Sequence, residues 1–108
     1  MTPRTARAKV EPPLADSDER AAHVAEVLKA VAHPLRIRIV ALLCRGDEHV
    51  NALAEKLQAP QAIVSQQLRI LRLKGLVVAA RENGFARYRL REPHLLDLVC
   101  CMERCTAR

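Results

Sequence analysis

Apolar side chains in residues 16–73 recur three and four positions apart, which is the spacing of amphipathic helices rather than of strands. Asp16 followed by Glu19 has the spacing of a capping box, so we predict that the first helix begins at Asp16. Proline suits the first turn of a helix and ends a preceding one. We therefore expect three further helices, which begin at Pro34, near His49 and after Pro60.

The pattern changes after Gly75, where residues 76–81 and 85–90 favour two short strands. Asn83-Gly84 between them is a strong hairpin signal, because both residues tolerate positive φ. A last helix is expected over residues 92–105, with Leu95, Leu98, Val99 and Met102 as its apolar stripe. Residues 1–15 lack periodicity and are expected to form a disordered arm, which leaves residues 16–108 as one domain. The predicted fold is mainly α with a small β-hairpin wing, a winged helix-turn-helix.

The fourth helix has two different faces. At 100° per residue, Val64, Leu68 and Leu71 fall on one side. The opposite arc carries amides, a hydroxyl and guanidinium groups but no acid, whereas a solvated helix face normally mixes both signs of charge. That arc consists of Gln61, Ala62, Ser65, Gln66, Arg69 and Arg72.

Positive charge is concentrated in residues 60–91, which carry seven basic side chains and one acid, Glu82. The difference of +6 equals the formal net charge of the whole chain. A positive helix beside a positive hairpin is typical of a duplex-binding surface. We expect glutamines of the fourth helix to read adenine edges, Ser65 to reach bases or phosphate, and its arginines to bind phosphates. Wing contacts to the flanking backbone or minor groove are expected from Arg81, Arg87 and Arg89.

Several other functional classes are disfavoured by the composition. No segment approaches the roughly 20 apolar residues of a membrane span, and residues 1–20 lack the apolar region of a signal peptide, so a cytoplasmic location without membrane contact is expected. The chain has no glycine-rich phosphate loop, no nucleophile elbow and no evident carboxylate pair, which argues against an enzyme. A protein-interaction module that binds no DNA remains an alternative, and salt-independent partner binding would distinguish it.

Three of the four cysteines cluster near the end of the chain. Cys101 and Cys105 are four residues apart and share a helix face, whereas Cys100 points about 140° away from Cys105, so joint binding requires local unwinding. Thiolates select soft ions, and three sulfurs without a fourth ligand suit the pyramidal As(III) or Sb(III). Cadmium, lead or mercury are alternative ions, and packing of Cys105 at a subunit interface is the structural alternative. Cys44 is expected to be buried filler.

From residue 28 to residue 91 the chain resembles the ArsR/SmtB family of bacterial metal-responsive repressors. The resemblance is carried by LKAVAHPLRIRIVALL, HVNALAEKL, PQAIVSQQLRILRLKGLV and the Asn-Gly wing that ends in RYRL. It implies a homodimer formed through the first and last helices, repression by binding operator DNA, and release by an inducer. The family's recognition helix carries a Gln–Ser–x–x–Ser pattern, in which Gln61 and Ser65 match and Ala62 replaces the first serine.

The family's known inducer sites match this chain unevenly. The arsenic site of the third helix requires Cys-Val-Cys, and the chain has residues 49–51, His-Val-Asn, at that place. The zinc site of the last helix begins Asp-x-His, for which Glu92 and His94 are a tolerable version. Its second half requires His and then His or Glu, but Cys105 and Arg108 stand there. The resemblance therefore leaves Glu92 and His94 only as a possible second metal site.

Two sensor types of the family involve cysteines. Reactive-sulfur sensors pair a cysteine of the second helix with one of the last helix; the matching position is Ala41, and Cys44 lies one turn away. Some arsenic-responsive members carry a Cys-Cys pair and a further cysteine on the last helix, and Cys100, Cys101 and Cys105 resemble this set with shorter spacing. The resemblance thus favours As(III) or Sb(III) as the inducer, with a redox or persulfide sensor and a Cd, Pb, Hg or Zn sensor as alternatives.

Overall fold

A computed structural model describes residues 11–92 and 94–105. In these residues the chain forms five helices and three strands, and the predicted winged helix-turn-helix is confirmed. The elements follow in the order α1 (Asp18–Val31), α2 (Pro34–Leu43), β1 (Glu48–His49), α3 (Val50–Leu57), α4 (Gln61–Leu73), β2 (Val77–Glu82), β3 (Phe85–Leu90) and α5 (His94–Glu103).

The predicted start of α1 at Asp16 is wrong. Asp16 ends a short 3-10 turn over Leu14–Asp16, so its side chain comes too early to cap the helix. The cap is Ser17, whose backbone is extended and whose hydroxyl accepts a hydrogen bond from the backbone N–H of Arg20 at 3.1 Å. Residues 1–10 of the expected arm lie outside the described residues, and ordered structure begins before residue 16 in the turn that precedes α1.

The core is aliphatic, as the composition indicates. Val64, Leu68 and Leu71 of α4 are fully buried, and together with Ile39 of α2 and Leu53 of α3 they join the helices in one cluster. Complete burial of each such side chain contributes roughly 1.5–3 kcal/mol. No polar side chain is fully buried among the described residues, and α4 packs on the core through one apolar face.

The wing is a three-stranded antiparallel sheet in the order β1-β3-β2, and the predicted two-stranded hairpin is therefore incomplete. The hairpin itself is correct: Asn83 and Gly84 have φ of 53° and 84°, and Glu82 pairs with Phe85 across the turn. The missing strand, β1, has only two residues, which pair with Arg87 and Tyr88. Two residues are too few to show alternation, so the sequence pattern does not reveal this strand.

The last helix is shorter than the predicted 92–105, since α5 spans His94–Glu103. Its stripe is confirmed in part: Leu95 and Val99 are buried, and Leu98 and Met102 pack partly against the core. The described residues contain no helix that is long and apolar enough to cross a membrane.

Candidate nucleic-acid interface

The outer face of α4 is open to solvent along its length. α4 packs against α3 and α2 through its buried side, and the turn between α3 and α4 is closed by Gln58 in the left-handed region at φ 53°. The sequence places no acidic residue in α4, so this face combines hydrogen-bonding groups with positive charge only. All six side chains that the sequence assigned to the face are exposed: Gln61, Ala62, Ser65, Gln66, Arg69 and Arg72.

A hydrogen-bonded arginine that the sequence analysis missed fixes α4 relative to α1. Arg36 of α2 donates from Nε to the carbonyl of Ala30 at 2.6 Å and from Nη1 to Oε1 of Gln67 at 2.9 Å. A weaker link joins Lys74, after the end of α4, to Glu26 of α1 at 4.0 Å. The position of Gln67 beside the buried stripe of α4 was the available signal, because a half-buried amide there requires a partner.

The three arginines predicted for the wing have different surroundings. Arg81 is exposed and donates to the carbonyl of Gly84 at 3.0 Å, which directs its guanidinium toward the turn. Arg87 is half-buried and lies 3.8 Å from Glu82, so its charge is partly neutralised. Arg89 is exposed. Within residues 11–92 and 94–105, Arg69, Arg72, Arg81 and Arg89 have no carboxylate within 4.0 Å.

The three clustered cysteines lie at the surface. Cys100 and Cys101 are on α5, whereas Cys105 follows the helix, and all three are exposed. In the part of the chain that the structure describes, no three His, Cys, Asp or Glu side chains are placed to bind one metal ion. A three-sulfur site therefore requires the rearrangement of the last turn that the sequence geometry predicts.

The possible second metal pair lies apart from the cysteines. Glu92 and His94 line a cleft of about 400 Å³ between α1 and α5, together with His23 and Arg20. The carboxylate of Glu92 accepts a long hydrogen bond of 3.4 Å from the backbone N–H of His94. Glu92 thus interacts with the start of α5.

The end of α2 brings a fourth thiol near α5. Cys44 is half-buried, and its pKa is raised first by burial and then by the charge of the Cys100 thiolate. The end of α2 packs against α5, which brings Cys44 to the side of the helix that carries Cys100. Cys44 also lines a cleft of about 400 Å³ with Leu96 of α5. The sequence analysis expected Cys44 to be buried filler, because it lies one turn away from Ala41, the position that the resemblance pairs with the last helix.

An exposed basic helix, packed on a preceding helix and followed by a wing, defines the winged helix-turn-helix class of regulatory proteins. A family model described as "Bacterial regulatory protein, arsR family" matches residues 33–78. A biofilm growth-associated repressor of Agrobacterium fabrum is 39% identical over 82% of this chain and 76% of its own length. The chain belongs to the ArsR family, and the prediction that it is a transcriptional regulator and not an enzyme is confirmed.

Solved structures agree with this assignment. The transcriptional repressor BigR from Xylella fastidiosa superimposes with a TM-score of 0.81 at 32% identity, covering 90% of this chain and 99% of that one. A homodimeric winged helix-turn-helix DNA-binding domain from Mycobacterium bovis superimposes with a TM-score of 0.70 at 33% identity, covering 82% and 84%. The residues matched by the family model, 33–78, include α3 and α4, on which the site is built.

Proposed function

We propose that the protein is a homodimeric repressor that binds double-stranded operator DNA and is released when a thiophilic ion, As(III) or Sb(III), binds Cys100, Cys101 and Cys105. The observation that carries the DNA-binding part is the exposed, acid-free face of α4 beside an arginine-bearing wing. The relatives from A. fabrum and X. fastidiosa bear the name of repressor, which supports repression as the regulatory outcome.

The docking follows from the groups on α4. With α3 against the backbone, α4 enters the major groove, where Gln61 and Gln66 pair with adenine edges and Ser65 bonds to a base or phosphate. A good bidentate base contact contributes roughly 1–3 kcal/mol of discrimination. Arg69 and Arg72 bind phosphates, which sets the register and makes the affinity depend steeply on salt.

The dimer forms through α1 and α5. Leu28 of α1 is 46% exposed. The cleft between the two helices is lined by apolar side chains from both helices, including Val24 and Leu98. A second copy of the chain covers this apolar surface, as expected for a small domain that gains stability by oligomerisation. The related M. bovis domain is homodimeric, which supports a homodimer here.

Inducer binding is linked to DNA binding through α5. Thiolates select soft ions, and the exposed Cys100, Cys101 and Cys105 give three sulfurs for a pyramidal ion once the last turn of α5 rearranges. If the ion binds better to a dimer whose α4 spacing misfits the groove, it weakens DNA binding by the same factor. Cadmium, lead, mercury and zinc are the competing ions in this proposal.

A second candidate signal is thiol oxidation, and the position of Cys44 in the cleft where the end of α2 meets α5 favours it. The reaction consumes one organic disulfide or one polysulfide. Both protein thiols lose a proton and together two electrons, and their sulfurs join. The protons and electrons pass to the oxidant, so an organic disulfide leaves as two thiols and a polysulfide leaves as hydrogen sulfide and a polysulfide shorter by one sulfur. The new disulfide bond links the end of α2 to α5, and so it changes the position of α5, which forms part of the dimer interface. This candidate uses Cys44, which the ion site does not, so the two signals are separable by mutation.

The test is fluorescence anisotropy of a labelled duplex that the reduced wild-type protein selects from a random-sequence library. Arsenite should release wild-type protein and Cys44→Ser but not Cys101→Ser, whose operator affinity should remain near that of wild type. Antimonite, cadmium, lead and zinc are then added in turn, which ranks the competing ions. Release of Cys101→Ser by arsenite at the wild-type concentration would eliminate the three-sulfur site.

The oxidation candidate is tested on the same duplex with an organic disulfide and with polysulfide. Release that is lost in Cys44→Ser and in Cys100→Ser, but kept in Cys105→Ser, would establish thiol oxidation as the signal. Failure of the reduced wild-type protein to select any duplex, or salt-independent binding, would reject the repressor function itself.

A further inference from the structure

The tip of the wing presents an aromatic ring to solvent. The chain contains one Phe, one Tyr and no Trp, and its core is aliphatic. The single phenylalanine, Phe85, is 61% exposed and directly follows the Asn83-Gly84 turn. A side chain that contributes little to the core and follows the turn of a basic hairpin is available for contact with a partner.

Phe85 is held in a defined position. It is the first residue of β3 and pairs with Glu82 across the hairpin. The ring of His49 meets it edge-on, with centroids 6.2 Å apart and planes at 76°. Nδ1 of His49 lies 3.1 Å from the carbonyl of Ala86, so a residue at the start of α3 is tied to the wing tip. Binding through Phe85 therefore costs little ordering of the tip.

The charges around Phe85 favour a polyanion as its partner. Arg81 is exposed and directed toward the turn by its hydrogen bond to Gly84, and it has no carboxylate within 4.0 Å among the described residues. The acid that pairs with Phe85 across the turn, Glu82, lies 3.8 Å from the guanidinium of Arg87, which offsets its charge. An apolar ring bordered by cations matches a nucleic-acid groove, in which base and sugar edges lie between rows of phosphates. One ring is too small to found a stable protein interface.

We propose, on the basis of the DNA-binding function above, that Phe85 is an apolar wedge that enters the minor groove beside the α4 half-site. The ring packs against sugar and base edges and partly unstacks one base step, while Arg81 binds the adjacent phosphate. Wedges of this kind open flexible pyrimidine–purine steps more easily than stiff A-tracts. Phe85 thus contributes to affinity and to preference for flanking sequence without any hydrogen bond to a base.

The experiment compares wild type with Phe85→Ala and Phe85→Leu on the duplex that wild-type protein selects. Phe85→Ala should lower the affinity about tenfold, since the buried face of the ring is lost, and Phe85→Leu should keep part of it. The slope of log affinity against log salt should stay that of wild type, because no charge is removed. DNA bending, read by energy transfer between dyes on the duplex ends, should decrease with the affinity.

A matched control and a sequence swap isolate the wedge. Leu14→Ala removes another exposed apolar side chain, outside the α4–wing surface, and should leave affinity unchanged. Replacing the flexible base step under the wing with an A-tract should lower the DNA affinity of wild type but not that of Phe85→Ala. A double-mutant cycle over protein and DNA changes measures this difference. Circular dichroism melting should show that Phe85→Ala folds normally, because its ring is mostly exposed.

The outcomes separate this inference from the proposed function. If wild type binds its selected duplex and Phe85→Ala binds equally tightly with equal bending, the wedge is overturned while the repressor function stands. If wild type selects no duplex, both are overturned. A tenfold loss confined to duplexes with the flexible step supports the wedge.

Discussion

Replacing Arg36 with methionine is expected to loosen the recognition helix from the rest of the fold. The guanidinium of Arg36 donates to the carbonyl of Ala30 at 2.6 Å and to the side chain of Gln67 at 2.9 Å. These two bonds connect the end of α1, the start of α2 and the middle of α4. Methionine preserves much of the apolar stem but removes both donors.

The magnitude follows from the two bonds. A hydrogen bond to a charged group contributes roughly 1.5–3 kcal/mol, and Ala30, which is 3% exposed, leaves its carbonyl little access to water when the donor is lost. Since the two losses are not additive, we expect the free energy of unfolding to fall by about 2–4 kcal/mol in total. For a domain of this size the melting temperature falls by about 10–20 °C.

Urea denaturation followed by circular dichroism measures this change, at one protomer concentration because dimerisation contributes to stability. Arg38→Met is the matched control: Arg38 is on the same helix, is exposed and makes one long bond of 3.4 Å to the carbonyl of Leu57. It should change stability by less than about 0.5 kcal/mol. Gln67→Leu combined with Arg36→Met should show a coupling of about 1 kcal/mol. Equal stabilities of the two arginine variants would refute the bridging role.

Three further predictions concern other parts of the fold. Iodoacetamide should alkylate Cys44 more slowly than the exposed cysteines, because burial and the charge of the Cys100 thiolate raise the pKa of Cys44. In Cys100→Ser the pH midpoint of Cys44 alkylation should fall, and an unchanged midpoint would show that Cys100 does not act on Cys44. Leu68→Ala should cost about 3 kcal/mol in urea denaturation, since the side chain is fully buried, and a cost below 1 kcal/mol would contradict the packing. The hydrogen bond from Lys56 lowers the pKa of Glu48, so this bond stabilises the fold above the ordinary carboxyl pKa, and its contribution is lost as pH falls through the lowered pKa. Lys56→Met should return the pKa of Glu48 toward its ordinary value in an NMR titration. An unchanged pKa would disprove the pairing.

The helices and the hairpin could be predicted because each is specified by local chemistry. Pro34 begins α2, and the periodic burial of Val64, Leu68 and Leu71 places α4 as its sequence indicates. The sequence did not distinguish Asp16 from Ser17 as the cap of α1, because both residue types are good caps. The 3-10 turn that contains Asp16 has no clear sequence signal.

Contacts between segments that are distant in the chain could not be predicted from local sequence patterns. β1 exists through its pairing with β3, about 40 residues later in the chain, and that pairing depends on the packing of α3 beside the wing. The position of Cys44 beside α5 likewise depends on how α5 lies against α2. The exposed face of α4 was predictable because one helix determines it, whereas the bond from Arg36 to Gln67 requires the angle between two helices.

The salt dependence of DNA binding tests directly whether the acid-free face of α4 docks on duplex DNA. Affinity for the selected duplex is measured over a range of salt for wild type, for Arg69→Ala and for Lys29→Ala, whose lysine is on α1 and ion-paired with Glu26. Arg69→Ala should lower the slope of log affinity against log salt by about one and weaken binding, while Lys29→Ala should match wild type. Identical slopes for Arg69→Ala and wild type would contradict this docking.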